Sequence, residues 1–469
     1  MKKSVAAALF LVGSAFVFMS LKIYSPYELF LRGFGVPFVA IASLVVLAIL
    51  VQQKAWRATS GKLLILLWCL PAVSMLYAHV SFRLCKRDVL MTETAEARAL
   101  GQHFIVGYSS FAAIAPLAEK GLIAGIYITR HNVAGRTIEA VKSEISALQA
   151  GRLAAGLPPL IVAADQEGGI VSHLSPPLTA LPALARLADL PSDIRKQSAE
   201  QAGRAHGEEL AALGVNLNFA PVLDLKPQGS RNQFDFDTLI GERAISADPD
   251  KVAQIALAYV QGLNAFGVRA TVKHFPGLGR VRADTHHFAA TLDTPLAQLE
   301  ETDWRPFREV LAASNAQLMV GHVTLTEVDP DRPASHSKRV ISGIIRQKWN
   351  YQGVVVTDDL VMGAVYNHLC TAVVESLNAS VDLLLVAFDG SQFYRAFACA
   401  SDAFGRHELD MVTLHDSESR LRRTFWANES DQNNHAAAAT SGRSGRHAAD
   451  FGSSAKSDRR TEPSAAEFD

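Results

Sequence analysis

Two clusters of residues in this chain have the types and spacing that chemistry needs. Asp358 and Asp359 stand side by side directly after the apolar run 353–356. A carboxylate in that place has a structural use, because it can cap the next helix by accepting from its free N–H groups. Successive side chains point in different directions, so one carboxylate can cap while its neighbour faces the interior of the fold. The second cluster is the segment 273–287, KHFPGLGRVRADTHH. Lys273 and His274 close an apolar run, a loop with Pro276, Gly277 and Gly279 follows, and Asp284 sits two residues before His286. An aspartate so placed can orient the imidazole and raise its basicity, which makes a proton shuttle near neutral pH. The same residues also read as a solvated loop pair, or as a metal site built from Asp284, His286 and His287.

Such residues need a frame to hold them. Short apolar runs recur at 103–108, 125–129, 160–164, 215–221, 270–274, 317–322, 353–357 and 381–387. Between them lie segments such as 198–213, 249–266 and 302–314, where Ala, Leu, Ile and Val return every three or four residues, as on one face of a helix. Eight strand–helix alternations in one domain predict an α/β fold, a single (β/α)8 barrel of the TIM type, with a doubly wound open sheet as the alternative. In a barrel, catalytic groups sit at the C-terminal ends of the strands. Polar residues collect at those ends here: Arg130-His131, Asp165-Gln166-Glu167, Asp224, Lys273-His274, His322 and Asp358-Asp359. A metal-dependent barrel hydrolase usually carries H-x-H at the end of its first strand. The first run offers only His103, so neither a metal nor another cofactor is expected.

The rest of the 469 residues is less chemical. Lys and Arg number 45 against 46 Asp and Glu, and hydrophobic residues make up 49%. The apolar weight sits in 1–82, which hold seven basic residues and one acidic, Glu28. The remaining chain is therefore mildly acidic, which argues against a nucleic-acid partner. Three stretches are free of charge: 4–21, 33–53 and 63–82. About 20 helical residues cross ~30 Å of hydrocarbon, so three transmembrane helices and a lipid bilayer are expected. A cleaved signal peptide is the competing reading of the first stretch, but no small-x-small site follows before Lys22. Basic flanking residues tie at five on each side, and the N-terminal lysines tip the orientation toward a cytoplasmic N-terminus with the body outside. The cysteines, Cys69, Cys85, Cys370 and Cys399, are too few and scattered for a disulfide framework or a zinc cluster, and do not settle the redox compartment. Residues 428–469 lack periodic apolar positions and read as a disordered tail. The expected organisation is an anchor at 1–82, a barrel at 83–427 and a tail at 428–469.

KHFPGLG followed by D-T-H resembles the β-N-acetylglucosaminidase branch of glycoside hydrolase family 3, whose signature is KHFPGHG followed by D-S-H. Further segments agree in family order: 165–169 (DQEGG), 218–225 (NFAPVLDL), 240–243 (IGER), 329–335 (DPDRPAS) and 357–362 (TDDLVM, similar to SDDLSM). The resemblance covers about 125–385 and leaves out the membrane segment and the tail. It implies that Asp358 is the nucleophile of a retaining exo-β-N-acetylglucosaminidase, His286 its acid/base and Asp284 the partner that orients the ring. It further implies that Asp165, Arg243, Lys273 and His274 hold the sugar hydroxyls and the N-acetyl region. Peptidoglycan-derived glycans are then the expected substrates, at a bacterial inner membrane with the barrel on the periplasmic side. No metal or cofactor is implied. Leu278 stands where the family has His, Ile170 where it has Arg, and Thr285 where it has Ser, so the leaving-group side departs from the pattern. No second domain follows the barrel, as in the short branch of the family. Two other classes stay open: a non-catalytic sugar-binding membrane protein, and a β-glucosidase or GlcNAc phosphorylase on the same scaffold.

Overall fold

Eight parallel strands close into a barrel in the computed structural model, which describes residues 3–27, 35–227 and 237–427. They are β1 Phe104–Gly107, β2 Gly125–Ile128, β3 Ile161–Ala164, β4 Leu217–Asn218, β5 Arg269–Phe275, β6 Gln317–Val320, β7 Val355–Asp359 and β8 Leu383–Val386. Each expected run overlaps one strand, and strand order follows the chain around the ring. The open-sheet alternative falls because β1 pairs with β8, Phe104 opposite Leu384 and Val106 opposite Val386. The strands are apolar without alternation because one side fills the barrel and the other meets helices.

Local chemistry sets the helix ends. Asp248 caps Pro249–Asn264 by accepting from the Asp250 and Lys251 N–H groups, and Pro249 takes the first helical position. Gly214, in the left-handed region at φ 98°, ends Ser192–Leu213. That helix starts earlier than its apolar periodicity suggests, since 192–197 is mostly polar. The two helices cross closely, and a methyl group built on Gly203 would stand 2.2 Å from the Tyr259 carbonyl oxygen. Below the barrel, the fully buried Asp382 accepts from Arg346, Arg420, Ser417 and the Val355 N–H. Burial raises its carboxyl pKa, but the two guanidinium groups outweigh this and hold it below the usual range.

Cys370 and Cys399 form a disulfide with Cα atoms 5.2 Å apart. It joins Leu369–Asn378 to Phe393–Gly405, successive outer helices that the barrel sets side by side. The scatter of cysteines along the sequence hid this pairing, because barrel closure and not chain spacing brings them together.

Before the barrel the described residues form the apolar helices α1 Lys3–Leu21, α2 Gly35–Gln52 and α3 Thr59–Met91, followed by the short helix Ala95–Gly101. Among the described residues, only α1 and α3 are long and apolar enough to cross a membrane; the apolar part of the middle helix is the shorter Pro37–Gln52. The expectation of three spanning helices is thus corrected to two candidates. The apolar part of α2 rises only about 24 Å, short of the ~30 Å hydrocarbon core. Trp68 ties α3 to α1 by donating to the Leu9 carbonyl at 3.0 Å. Outward side chains such as Leu11, Phe18, Leu44, Leu66 and Leu76 are apolar and exposed. Helix α3 continues through residue 82 without a break and reaches the barrel, where Phe82 meets Tyr394 edge-on at 6.0 Å and the Cys85 thiol donates to the Tyr394 carbonyl. The tail, 428–469, lies outside the described residues. Just before it, Arg422–Trp426 form a helical turn.

Candidate active site

A cavity of about 750 Å³ opens at the C-terminal ends of the strands. Its lining includes every candidate residue except Asp284, which lies buried behind His286.

Asp165 follows β3 directly, and the chain then doubles back through a short hairpin, Gln166–Gly168 against Val171–Ser172. Gly168 and Gly169 make that turn with φ of 91° and 68°, a conformation that favours glycine. Asp165 accepts from the Tyr127 hydroxyl at 2.5 Å and from the Lys273 ammonium. Lys273 also stands 2.7 Å from Glu167, which receives both Nη2 and Nε of Arg243 at 2.7 and 3.1 Å. Burial alone would raise both carboxyl pKa values. The charge of Lys273 brings Asp165 down to about 2, and Arg243 and Lys273 hold Glu167 below its usual value. Two cations and two carboxylates thus form a charge-balanced floor.

His274 ends the same strand as Lys273. Its Nδ1 lies 2.7 Å from Asp224, which also accepts from the Leu278 N–H at 2.7 Å. With Nδ1–H donating to that carboxylate, Nε2 is the acceptor for Arg243 Nη2 at 3.3 Å. Leu278 is buried in the cleft wall, and its backbone bond to Asp224 keeps the loop ordered without the family's histidine. Ile170 is exposed, and Thr285 is buried.

Asp284 accepts from the Thr238 hydroxyl at 2.8 Å, the Asp237 N–H at 2.9 Å, and the His286 N–H and Nδ1 at 2.9 and 3.0 Å. Burial would raise its pKa, but these bonds outweigh that and lower it. For His286 the balance has the opposite sign. Burial lowers an imidazole pKa, yet the Asp284 hydrogen bond and the charges of Asp358 and Asp284 raise it overall. Its side chain is 38% exposed, and Nε2 is the ring atom left for a substrate.

The two adjacent carboxylates have separate surroundings. Asp359 accepts from the Val361, Ala387 and Phe388 N–H groups at 3.1, 3.0 and 2.8 Å, so it caps the turn after β7 and fastens the loop after β8. Burial pushes its pKa up to about 6. Asp358 accepts from the Asp359 N–H at 2.8 Å. Burial raises its pKa too, but His274, His322 and His286 around it hold the carboxyl below its usual value. An ionised carboxylate and a histidine of raised pKa therefore share one cleft. Such a pair can supply a nucleophile and a proton donor.

Other strand-end residues have different duties. Arg130 and His131 are exposed and do not line the cleft. His322 is buried between Ser335 and the Asp359 carbonyl, and His103 binds the Asp382 carbonyl below the barrel. Among the described residues, Asp237, Asp284 and His287 place ligand atoms within 4.8 Å of one another, a set that takes Asp237 in place of His286. The sequence reading placed Glu167 among the polar strand-end residues and inside the DQEGG motif, but gave it no part in the site. Tyr127 gave no signal because its run reads as plain core, and Thr238, Pro26 and Tyr27 lie in no motif.

A closed (β/α)8 barrel with an acid–imidazole cleft at its C-terminal mouth has the layout of a barrel enzyme, whose active site lies in the loops after the strands. Residues 100–423 match the glycosyl hydrolase family 3 N-terminal domain, and the chain belongs to that family. It is 36% identical over 250 residues to a beta-hexosaminidase of Tolumonas auensis, covering 52% of this chain and 71% of that protein. A beta-hexosaminidase of Pseudomonas aeruginosa is 36% identical over 243 residues, 51% of this chain and 70% of its own length. Among solved structures, a family 3 β-N-acetylglucosaminidase from Paenibacillus superposes with a TM-score of 0.63 at 30% identity, over 71% of this chain and 62% of that one. A β-N-acetylhexosaminidase from Beutenbergia cavernae gives 0.63 at 27% identity, over 71% and 99%.

Proposed function

We propose that the protein is a retaining exo-β-N-acetylglucosaminidase that releases terminal β-GlcNAc from peptidoglycan-derived or related glycans. The observation that carries this reading is the meeting of ionised Asp358 with the His286–Asp284 pair in one cleft, beside a floor of fixed charges. Asp358 attacks the anomeric carbon while His286 Nε2–H protonates the leaving oxygen, giving a covalent glycosyl-enzyme. His286 then takes a proton from water, which attacks the same carbon and frees Asp358. Asp165, Lys273, Arg243 and His274 grip the sugar and its N-acetyl group. The hexosaminidase and glucosaminidase names of the relatives support this substrate class.

Buried donors shaped for one substituent reject an analogue that lacks it, because they are left unpaired. The protein is therefore expected to prefer p-nitrophenyl β-GlcNAc over the β-glucoside by at least ~100-fold in kcat/KM. Equal rates would refute the N-acetyl assignment, and a phosphate-dependent rate with sugar phosphate as product would refute hydrolysis.

The reading includes an anchor at 1–82, a catalytic barrel at 83–427 and a tail at 428–469, in the inner membrane of a bacterium with the barrel outside the cytoplasm. The Cys370–Cys399 disulfide supports that side, since structural disulfides persist in oxidising compartments. The full chain is expected in membranes and should resist carbonate and high salt, because inserted apolar helices cannot be washed off. A reporter fused after Asp469 should work only if it is active outside the cytoplasm. Soluble recovery of the full chain, or cytoplasmic reporter activity, would reject the corresponding half of the assignment.

A further inference from the structure

The segment after α1 runs straight to the cleft. Tyr24 stacks on Phe82 at 4.4 Å, its hydroxyl meets His79 at 2.6 Å, and its carbonyl accepts from Gln392 Nε2 at 2.6 Å. Pro26 and Tyr27 then line the catalytic cavity. The Tyr27 ring meets Tyr366 edge-on at 6.0 Å. A methyl group built on Gly363 would lie 2.7 Å from the Tyr27 hydroxyl and 2.5 Å from the His287 carbonyl oxygen. The Gly363 N–H donates to the His286 carbonyl at 2.7 Å, so Tyr27 stands against the turn that carries His286.

This placement identifies which part of a substrate Tyr27 meets. A proton donor serves the leaving oxygen, so the wall beside His286 belongs to the leaving group, while the charged floor holds the terminal sugar. Tyr27 is 45% exposed, and the cleft lining also carries the exposed Phe388, at 69%, and the His287–Asp237 pair. Tyr27 is also close to the apolar helix. Five residues lie between it and Leu21, the end of α1, and each step spans at most about 3.6 Å, so it lies within roughly 22 Å of that helix end. A glycan free in solution gains nothing from a leaving-group wall tethered to a membrane-span candidate. A glycan on a lipid is delivered to it.

We propose that the cleft acts on a β-GlcNAc-terminated glycan anchored in the bilayer by a lipid, with Pro26 and Tyr27 forming its leaving-group wall; this rests on the glycosidase function proposed above. The test uses the full chain in phosphatidylcholine liposomes. One arm carries a β-GlcNAc-terminated disaccharide on a dialkyl lipid in the same bilayer, a second offers the same disaccharide free, and p-nitrophenyl β-GlcNAc is the reference. The wild type should cleave the lipid-borne disaccharide at least ~10-fold faster than the free one at matched total concentration. Relative to the aryl reference, Tyr27→Ala should lose about fivefold or more on the lipid-borne substrate, and Tyr27→Phe should restore most of it. Surface enrichment alone would not respond to Tyr27. Equal cleavage of free and lipid-borne glycan, or an unchanged ratio in Tyr27→Ala, would overturn the inference. Failure of the wild type on the aryl glycoside would instead overturn the glycosidase function, and this inference with it.

Discussion

Asp358→Ala should lose turnover on every β-GlcNAc substrate by at least about 1,000-fold, because the proposed mechanism then lacks the carboxylate that forms its covalent intermediate. Asp165 is engaged by Tyr127 and Lys273. The two oxygens of Asp359 hold three backbone N–H groups, and burial pushes its pKa up to about 6. Asp358 lines the cleft, and neighbouring imidazoles hold its carboxyl below the usual value. A mechanism-based fluorosugar should therefore label Asp358 in the wild type, read as a mass shift on the peptide that contains it. Label on Asp359 or Asp165 would move the nucleophile and refute the assignment. Asp358→Asn keeps the side-chain volume and the bond from the Asp359 N–H, so an equal loss there with an unchanged melting temperature excludes misfolding as the cause.

The barrel was legible because parallel strands covered on both faces leave uninterrupted apolar runs, and all eight runs overlap a strand. The division of labour between Asp358 and Asp359 was half legible. Adjacency suggested one cap and one free carboxylate, but the assignment depends on where the loop after β8 passes, and only the fold supplies Ala387 and Phe388 as donors. Glu167 was hidden for a related reason: a glutamate in a Gly-rich turn looks solvated until Lys273 and Arg243 arrive from elsewhere in the chain. The membrane end was overread by one span, since freedom from charge over 33–53 does not fix how much of it is helix. Tyr27 could not have been found at all. Its role depends on the contact of residues 22–27 with a barrel rim more than 300 residues later in the chain, and no local pattern encodes that distance.

His286→Ala should lose about 100-fold or more on substrates with a sugar leaving group and much less on p-nitrophenyl β-GlcNAc. A sugar alkoxide must be protonated as it departs, whereas an activated phenolate leaves largely unaided. Asp284→Asn separates the orienting role from the proton itself. In the wild type the Asp284 hydrogen bond and nearby charges outweigh burial and raise the His286 pKa, so the acid form persists above the ordinary imidazole range near ~6.5. Proton donation needs that acid form, and the alkaline limb of kcat on a natural-type disaccharide should therefore lie above it. Removing the Asp284 charge takes away the leading raising contribution while burial still lowers the pKa. The alkaline limb should then move to lower pH, with a loss intermediate between wild type and His286→Ala. On the aryl glycoside the same limb should be shallow in all three proteins. An Asp284→Asn limb that stays in place or moves up in pH would show that His286 does not carry the proton, and a His286→Ala variant indistinguishable from wild type on disaccharides would show the same by rate alone.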